Sequence, residues 1–488
     1  MDFCGNWFFS AHLIFTYLIS SIVIFLVLGQ FSFIKTNYSR LFWGLSFGLG
    51  PIFISWILAC LLALFPKQSN LFYLSIIYTL FLFMLSISYK AFPLWMSGFK
   101  AQFFHLRRIE KFVLMIIVFL LILNFLLIVV IPNFFSDSLD YMHMAKIIAK
   151  NRDLSLYPMI TSHTTRSLIA SWTHPVGYMG VYVWTYLGSP VLNLNLSLQI
   201  TSYFYAVSLL LAFISFFDKK DILLSLLSCL LLISTPLYFY QVYQASIDPI
   251  RCYTFCIALM FLTKIIQFER ESDNSFKNYL LLGFLLGMAC FSHSIGFLSL
   301  PIACAIYFLL SPQTFLIKIR NMTLFCMIPM LIIAPRFWVN YKTFHSLIAD
   351  TSPVWGLKSI EYNPTLNIIR GLGTSFERIF YGLFKGFTKI KIFGVAYWIM
   401  IGGLVFIKFN FQAWKLKDFY QSSNLFIFIS ALVVLCFYSM ALVSFLLNMN
   451  LFIKNDRYIL TMQPFVAVVA GYMMYNFYQR YCEGRQFI

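Results

Sequence analysis

In the stretch NFFSDSLDYMHMAKIIAKN, positions 133 to 151, two carboxylates, a tyrosine, a histidine and two lysines follow directly on a long apolar run. Asp137, Asp140, Tyr141 and Met144 stand at i, i+3, i+4 and i+7, so a helix gathers them near one face, while Lys146 and Lys150 fall on another stripe. A helix of this kind at a membrane boundary aims a carboxylate at the interface while its basic residues meet headgroups. An ordinary amphipathic interfacial segment has the same periodicity, and spacing alone does not separate the two. Three arginines, Arg251, Arg336 and Arg457, each stand at the end of an apolar run. Guanidinium matches phosphate oxygens in bidentate fashion, although a long side chain at that position also snorkels to the interface. Asp248 precedes Arg251 by three residues, a spacing that pairs them on a helix. His293 lies where two short apolar runs meet.

The elements that must position these residues are membrane helices. Of 488 residues, 61% are hydrophobic and 20% aromatic, only 11% are charged, and the mean hydropathy is +0.82. A soluble globule has a charged fraction of about 25%. Too little polar surface exists to cover one here, which excludes a soluble enzyme or a nucleic-acid-binding protein. Crossing the hydrocarbon core takes about 20 mostly apolar residues in helical form, because the backbone finds no water there. Runs of that kind are expected at 11 to 34, 41 to 65, 71 to 89, 112 to 133, 192 to 217, 222 to 241, 249 to 267, 278 to 292, 295 to 311, 322 to 338, 392 to 408, 424 to 447 and 459 to 478. This gives an all-α polytopic membrane protein of about thirteen transmembrane helices. Before the first run there is no basic region and no small-residue cleavage site, so that run is expected to stay as a helix. Seven cysteines, among them Cys60, Cys229 and Cys256, lie inside apolar runs and read as packing residues; Cys252 and Cys256, four apart, read the same way.

Orientation follows from the basic loops. The segment YKAFPLWMSGFKAQFFHLRRIEK carries Lys90, Lys100, Arg107, Arg108 and Lys111, and short loops rich in Lys and Arg stay cytoplasmic. Alternating the spans from that loop places every long polar connection outside, at 134 to 191, 242 to 248, 336 to 391 and 448 to 458. Function is expected on that face. The net charge of +18 is shared by both faces, and the outer basic residues suit an anionic partner or lipid phosphates.

Several fragments in order along the chain resemble the GT-C glycosyltransferases, the superfamily that includes protein O-mannosyltransferases and bacterial aminoarabinose transferases. Asp137, Tyr141 and Ala145 form the D-x-x-x-Y-x-x-x-A pattern of that family's first outer loop. SWTHPVGYMGVYVWTYLGSP is similar to its His-Pro-Pro-aromatic segment through His174, Pro175, Gly177 and Tyr178, with Val176 replacing the second proline. YQASIDPIRCYTF supplies Asp248 where the family often has an Asp, and LLGFLLGMACFSHSIGFLSLP resembles its Gly-rich helix pair, with His293 where a Lys often stands. APRFWVNYKTF is similar to its Pro-Trp-x-x-Arg-Asn-Tyr turn, the arginine having moved to Arg336, and NDRYILTMQPFVAVVAGY to its Arg-Tyr helix entry, through Arg457 and Tyr458. The likeness covers roughly residues 112 to 480, which divides the chain into N-terminal extra transmembrane helices, 1–111, and a GT-C-like catalytic module, 112–480, with outer loops 134–191 and 336–391.

The resemblance implies a sugar carried on a polyprenyl phosphate and transferred to a glycan, lipid or protein acceptor at the extracytoplasmic face, in a bacterial inner membrane. An acceptor hydroxyl displaces the lipid phosphate at the anomeric carbon, which needs a base beside the nucleophile and positive charge beside the leaving phosphate. Asp137 occupies the position of the family's catalytic Asp, as general base, although an Asp there could equally cap the following helix. Asp140 is its nearest competitor. Tyr141, His174, Asp248, Arg251, His293, Arg336, Arg457 and Tyr458 are the substrate-binding candidates. His293, neutral at pH 7, would be a weaker phosphate partner than lysine, and a packing role suits it as well. A divalent metal could sit between Asp137 and Asp248, but no dense carboxylate cluster demands one. In the second outer segment, Trp355, Tyr362, Arg370, Glu377 and Arg378 suit sugar binding or a flat interfacial helix.

Two other readings stay open. An O-antigen ligase or polymerase with a diphosphate-linked donor would lean on outer arginines and a histidine. A lipid-linked oligosaccharide flippase or transporter would show internal repeats and midplane charges, and the sequence shows no repeat.

Overall fold

The structure is a computed structural model of the chain and describes residues 3–30, 44–93, 106–131, 133, 136–154, 176–189, 195–270, 276–344, 387–406, 421–446 and 459–482. Among the described residues every regular element is a helix. Phe3–Ile14 (α1) runs through a π-helical turn, Phe15–Ile19, into Ser20–Gln30 (α2), and Leu49–Leu64 (α3) and Asn70–Ser88 (α4) follow. Arg108–Val130 (α5), Ser136–Asn151 (α6) and Gly177–Leu187 (α7) come next, then Asn195–Phe216 (α8), Ile222–Ile233 (α9) and Pro236–Tyr243 (α10). Asp248–Arg270 (α11), Phe276–Ser292 (α12), Ser299–Leu310 (α13) and Phe315–Phe344 (α14) form the next group. The chain closes with Ala396–Phe406 (α15), Ser422–Leu446 (α16) and Gln463–Tyr481 (α17).

Seven of the described helical stretches are long and apolar enough to cross a membrane, or eight with the pair α9 and α10 as one span. That makes the chain a membrane protein. The thirteen expected runs each hold a helix, but α12, α13 and the described apolar part of α16 are shorter than a full crossing, and α15 has 11 residues. The run at 222 to 241 is not straight. It breaks by 71° at Ser234 and Thr235, where Pro236 opens α10 and has no N–H to continue the ladder.

At the centre stands α11, whose most apolar stretch is entirely buried. It packs against α8, α12, α13, α16 and α17, so its polar residues from Asp248 to Lys264 are buried in protein. Its last turn is held by a carboxylate. Glu269 accepts hydrogen bonds from the hydroxyls of Tyr279, Tyr307 (2.6 Å) and Ser311 (2.5 Å), and Asn321 donates to the Tyr307 oxygen at 2.9 Å. These bonds tie α11 to α12, α13, the loop after α13, and α14. Alongside, α12 and α14 lie parallel and close: a Cβ on Gly283 would stand 2.8 Å from that of Ile328, and one on Gly287 2.4 Å from Ile332 Cδ1. Small residues on one helix let the other approach in this way.

Glu269→Ala strips the shared acceptor from three buried hydroxyls. With each hydrogen bond to a charged group contributing roughly 1.5–3 kcal/mol, the variant is expected to lose on the order of 3 kcal/mol of stability in detergent. Thermal unfolding that matches the parent protein would show that the knot at this end is dispensable.

Candidate functional site

Of the residues singled out from the sequence, Asp248, Arg251 and His293 meet at the other end of α11, and the helix of Tyr141 docks beside them. Asp248 and Arg251 occupy its first turn, and the i, i+3 spacing brings Arg251 Nη2 to 2.6 Å from Asp248 Oδ1, with both side chains at 1% exposure or less. The expected pairing is therefore present and fully buried. The second carboxylate oxygen, Oδ2, accepts from Ser246 Oγ at 2.9 Å, and Ser246 Oγ in turn accepts from the Asp248 N–H at 3.2 Å. The serine two positions ahead of the Asp caps the helix start, a signal the sequence did carry.

His293, at the end of α12, brings its Nε2 to 3.3 Å from Arg251 Nη1. Its Nδ1 accepts the backbone N–H of Ile295 at 2.9 Å, capping the short 3-10 turn Ser294–Leu298. A neutral imidazole has one acceptor nitrogen and one N–H. With Nδ1 accepting, the proton sits on Nε2 and faces a guanidinium that is itself only a donor. Two donor groups thus stand side by side at 3.3 Å.

The turn from Gln244 to Ile247, just ahead of this pair, is clamped by hydroxyls. Tyr178 and Tyr182, one turn apart on α7, both donate to the Ala245 carbonyl, at 2.5 and 3.2 Å, and Ser202 Oγ donates to Ser246 O at 2.6 Å. Ala245 sits at φ +53°, a left-handed conformation that costs a non-glycine residue roughly 1–2 kcal/mol. The carbonyl bonds hold it there. Tyr182, Ser202 and Ser246 were not among the sequence candidates; the spacing of Tyr178 and Tyr182 by one turn was the available sign.

The helix bearing Asp137 docks on the same turn. Ser138 Oγ donates to Gln244 O at 2.7 Å, and Tyr141 packs edge-on against Tyr178, ring centroids 5.7 Å apart. Tyr141, Met144, Ala145 and Ile148 make the buried stripe of α6, Asp140 is half-buried beside it, and Lys150 is exposed. Asp137 lies in the first turn of α6, next to Ser138, and its side chain is outside the described residues. His174, Arg457, Tyr458 and the second outer segment with Trp355, Tyr362, Arg370, Glu377 and Arg378 also lie outside them. The chain after Arg457 and Tyr458 nevertheless arrives beside Arg251: Cys252 Sγ donates to Leu460 O at 3.2 Å, and Gln463 Nε2 to Thr235 Oγ1 at 2.8 Å. Arg336, half-buried on α14, stands one turn beyond Ile332. The parallel register that sets Gly287 against Ile332 carries it to the end of the bundle where His293 lies.

The helices before residue 111 carried no motif that showed their contribution. Ser55 Oγ on α3 donates to Gly177 O at 2.7 Å, and a Cβ on Gly180 would meet that same oxygen at 2.1 Å. Trp184 Nε1 donates to Thr16 Oγ1 at 2.8 Å, while Tyr253 on α11 donates to Leu45 O and accepts from Gly48 N. The N-terminal helices thus brace both α7 and α11. As to a metal, Asp248 already gives its oxygens to Arg251 and Ser246, and no group of three His, Cys, Asp or Glu among the described residues could hold an ion. No family model matches the chain, and no curated protein or solved structure matches it either.

Removing one partner of a buried ion pair leaves the other charge uncompensated, which typically costs about 3–5 kcal/mol. Arg251→Met is expected to lose that much, and Asp248→Leu combined with Arg251→Met to recover a large part of it. Thermal unfolding of the two variants side by side is the measurement; equal losses would mean the pair is not electrostatically coupled.

Proposed function

We propose that the chain is a membrane glycosyltransferase of the GT-C type, moving a sugar from a polyprenyl-phosphate donor to a glycan, lipid or protein acceptor at the extracytoplasmic face of a bacterial inner membrane. On this reading it crosses the membrane about thirteen times. The observation that carries it is the meeting of Arg251 Nη1 and His293 Nε2 at 3.3 Å, two donors poised for one anionic oxygen, on the turn to which the helix of Asp137 is anchored.

The chemistry is a displacement at the anomeric carbon. An acceptor hydroxyl oxygen forms a bond to that carbon as the bond to the phosphate oxygen breaks. The hydroxyl proton passes to the Asp137 carboxylate, and the polyprenyl phosphate leaves with the electron pair. Charge grows on the departing phosphate, and the His293 N–H together with the Arg251 guanidinium stabilises it as it develops. Asp248 holds the guanidinium in place and offsets part of its charge. Arg336 and Arg457 complete the positive surroundings that a phosphate needs. Asp140, Tyr141, His174 and Tyr458 line the approach of the sugar and acceptor.

A diphosphate-linked donor, as used by O-antigen ligases and polymerases, is the second reading, and the same histidine beside an arginine favours it. Asp137→Asn separates the two. A general base contributes roughly 10²- to 10⁴-fold in rate, so transfer by membranes carrying this variant should fall by that factor while the protein stays inserted. Activity that survives Asp137→Asn but is lost in Arg251 or His293 variants would replace the first reading by the second. The donor for the assay is the lipid-linked sugar that accumulates in a deletion strain, identified by mass spectrometry.

His293→Asn probes the carrying observation directly. The Asn side-chain oxygen can still accept the Ile295 N–H, so the helix cap is retained, while the donor toward the phosphate is lost. Loss of one such donor costs on the order of 10²-fold in kcat. An unchanged rate at unchanged thermal stability would remove His293 from the mechanism.

A further inference from the structure

A second site lies at the opposite end of α17. Its first turn is beside Thr235 and Leu460 is beside Cys252, whereas Arg480 comes seventeen residues after Gln463, roughly 25 Å along the helix. There α5, α9, α15 and α17 enclose a cavity of about 590 Å³. That volume is in the range of ~300–1,000 Å³ in which proteins bury small ligands. Val113, Leu227, Ile399, Met473 and Phe477 give it an apolar wall. Of two adjacent glycines on α15, Gly403 is packed so tightly that a Cβ would stand 2.5 Å from Met473, whereas a Cβ on Gly402 would meet nothing within 4 Å.

Two features make this more than an apolar cleft. Asn476 lines it, is 7% exposed, and its Nδ2 has no hydrogen-bond partner among the described residues. A buried amide donor left so is costly and calls for an acceptor. Arg480, four residues on and hence on the same face, also lines the cavity and is exposed, with its guanidinium over the Tyr481 ring at 5.6 Å. The rim is basic as well. Arg108 precedes the lining residue Ile109, and Lys220 stands three before Leu223. Two of the nearby acids are engaged, Glu110 accepting from Arg107 Nε at 2.8 Å and Asp221 from Ser423 Oγ at 2.6 Å, while Asp218 is exposed and Lys220 Nζ donates to Gln421 Oε1 at 2.7 Å.

We propose that this groove binds one glycerophospholipid with an anionic headgroup. An acyl chain fills the apolar groove past Gly402, a glycerol ester carbonyl accepts from Asn476 Nδ2, and the phosphate lies one helical turn outward on Arg480. The order of groups along α17, apolar wall, amide donor, guanidinium and tyrosine, matches the order of chain, ester, phosphate and water in a leaflet. The site is independent of the transfer reaction and sits at the other end of the bundle.

The test is thermal unfolding of the delipidated full chain in detergent, titrated with dioleoylphosphatidylglycerol and, separately, with dioleoylphosphatidylcholine. Saturable stabilisation by the glycerol lipid at concentrations at least tenfold below those needed for the choline lipid is expected. Arg480→Gln, Asn476→Leu and Gly402→Leu should each weaken the response at least tenfold. Because Asn476→Leu removes a buried donor and Gly402→Leu enters open space, both should unfold at or above the parent temperature without lipid. Equal responses to the two lipids, a response unaltered in all three variants, or conversion to a dimer that buries the groove without lipid would each overturn the proposal. Should Gly402→Leu fail to fold, Arg480→Gln and Asn476→Leu still decide it.

Discussion

A carboxylate and a guanidinium buried at the head of the central helix constrain the elements packed around that end of this protein. Removing two charges from water costs several kcal/mol each, and their mutual attraction repays this only when the geometry is good and the remaining lone pairs and protons are bonded. Around Asp248 and Arg251, Ser246 bonds the carboxylate, His293 from the end of α12 stands beside the guanidinium, and Thr254 on the next turn is bonded to Ser292 at 2.9 Å. The hydroxyls of Tyr178, Tyr182 and Ser202 then fix the turn ahead of the pair through backbone carbonyls. Each of these bonds is modest. Together they hold the ion pair in one position, as the proposed contact with a charged oxygen would require.

The same economy explains α6 and α7. A helix lying flat on a membrane surface would bury one stripe in lipid, whereas every residue of α7 is buried in protein and the Tyr141 stripe of α6 faces it. Close approach is achieved with glycines rather than with small side chains: a Cβ on Gly177 would come within 2.4 Å of the Phe291 carbonyl, two residues before His293. The position of the imidazole is therefore set by backbone packing of α7 on α12 as much as by its own bond to Ile295.

Much of this was legible in the sequence, and what was not has physical causes. Helix positions follow from hydropathy because an apolar surrounding forces internal backbone bonding. The pairing of Asp248 with Arg251 follows from helical spacing, and the face of α6 from its periodicity. The break of α9 from α10 is marked only by Pro236, and one proline does not give an angle. The bracing by Ser55, Thr16 and Gly48 could not be read, because contacts between residues more than a hundred positions apart leave no local pattern. Nor could the groove beside α17, whose buried polar group, Asn476, is a single amide in an otherwise ordinary helix end.

The two ends of the bundle solve opposite problems with the same central elements. At the head of α11 the polar groups lie within bonding distance of one another, which makes that end stiff, and on the proposed reading an anion from outside completes it. At its tail Glu269 gathers three hydroxyls and is satisfied without any ligand, which makes that end an anchor. A rigid scaffold fixed at its tail and preorganised at its head is suited to holding a phosphate while charge develops on it, since no protein dipole must then turn during the step. Preorganisation of this kind depends on excluding water from Arg251 and His293. The helices before residue 111 close over α7 and α11, and on the proposed reading they help to keep water from that site.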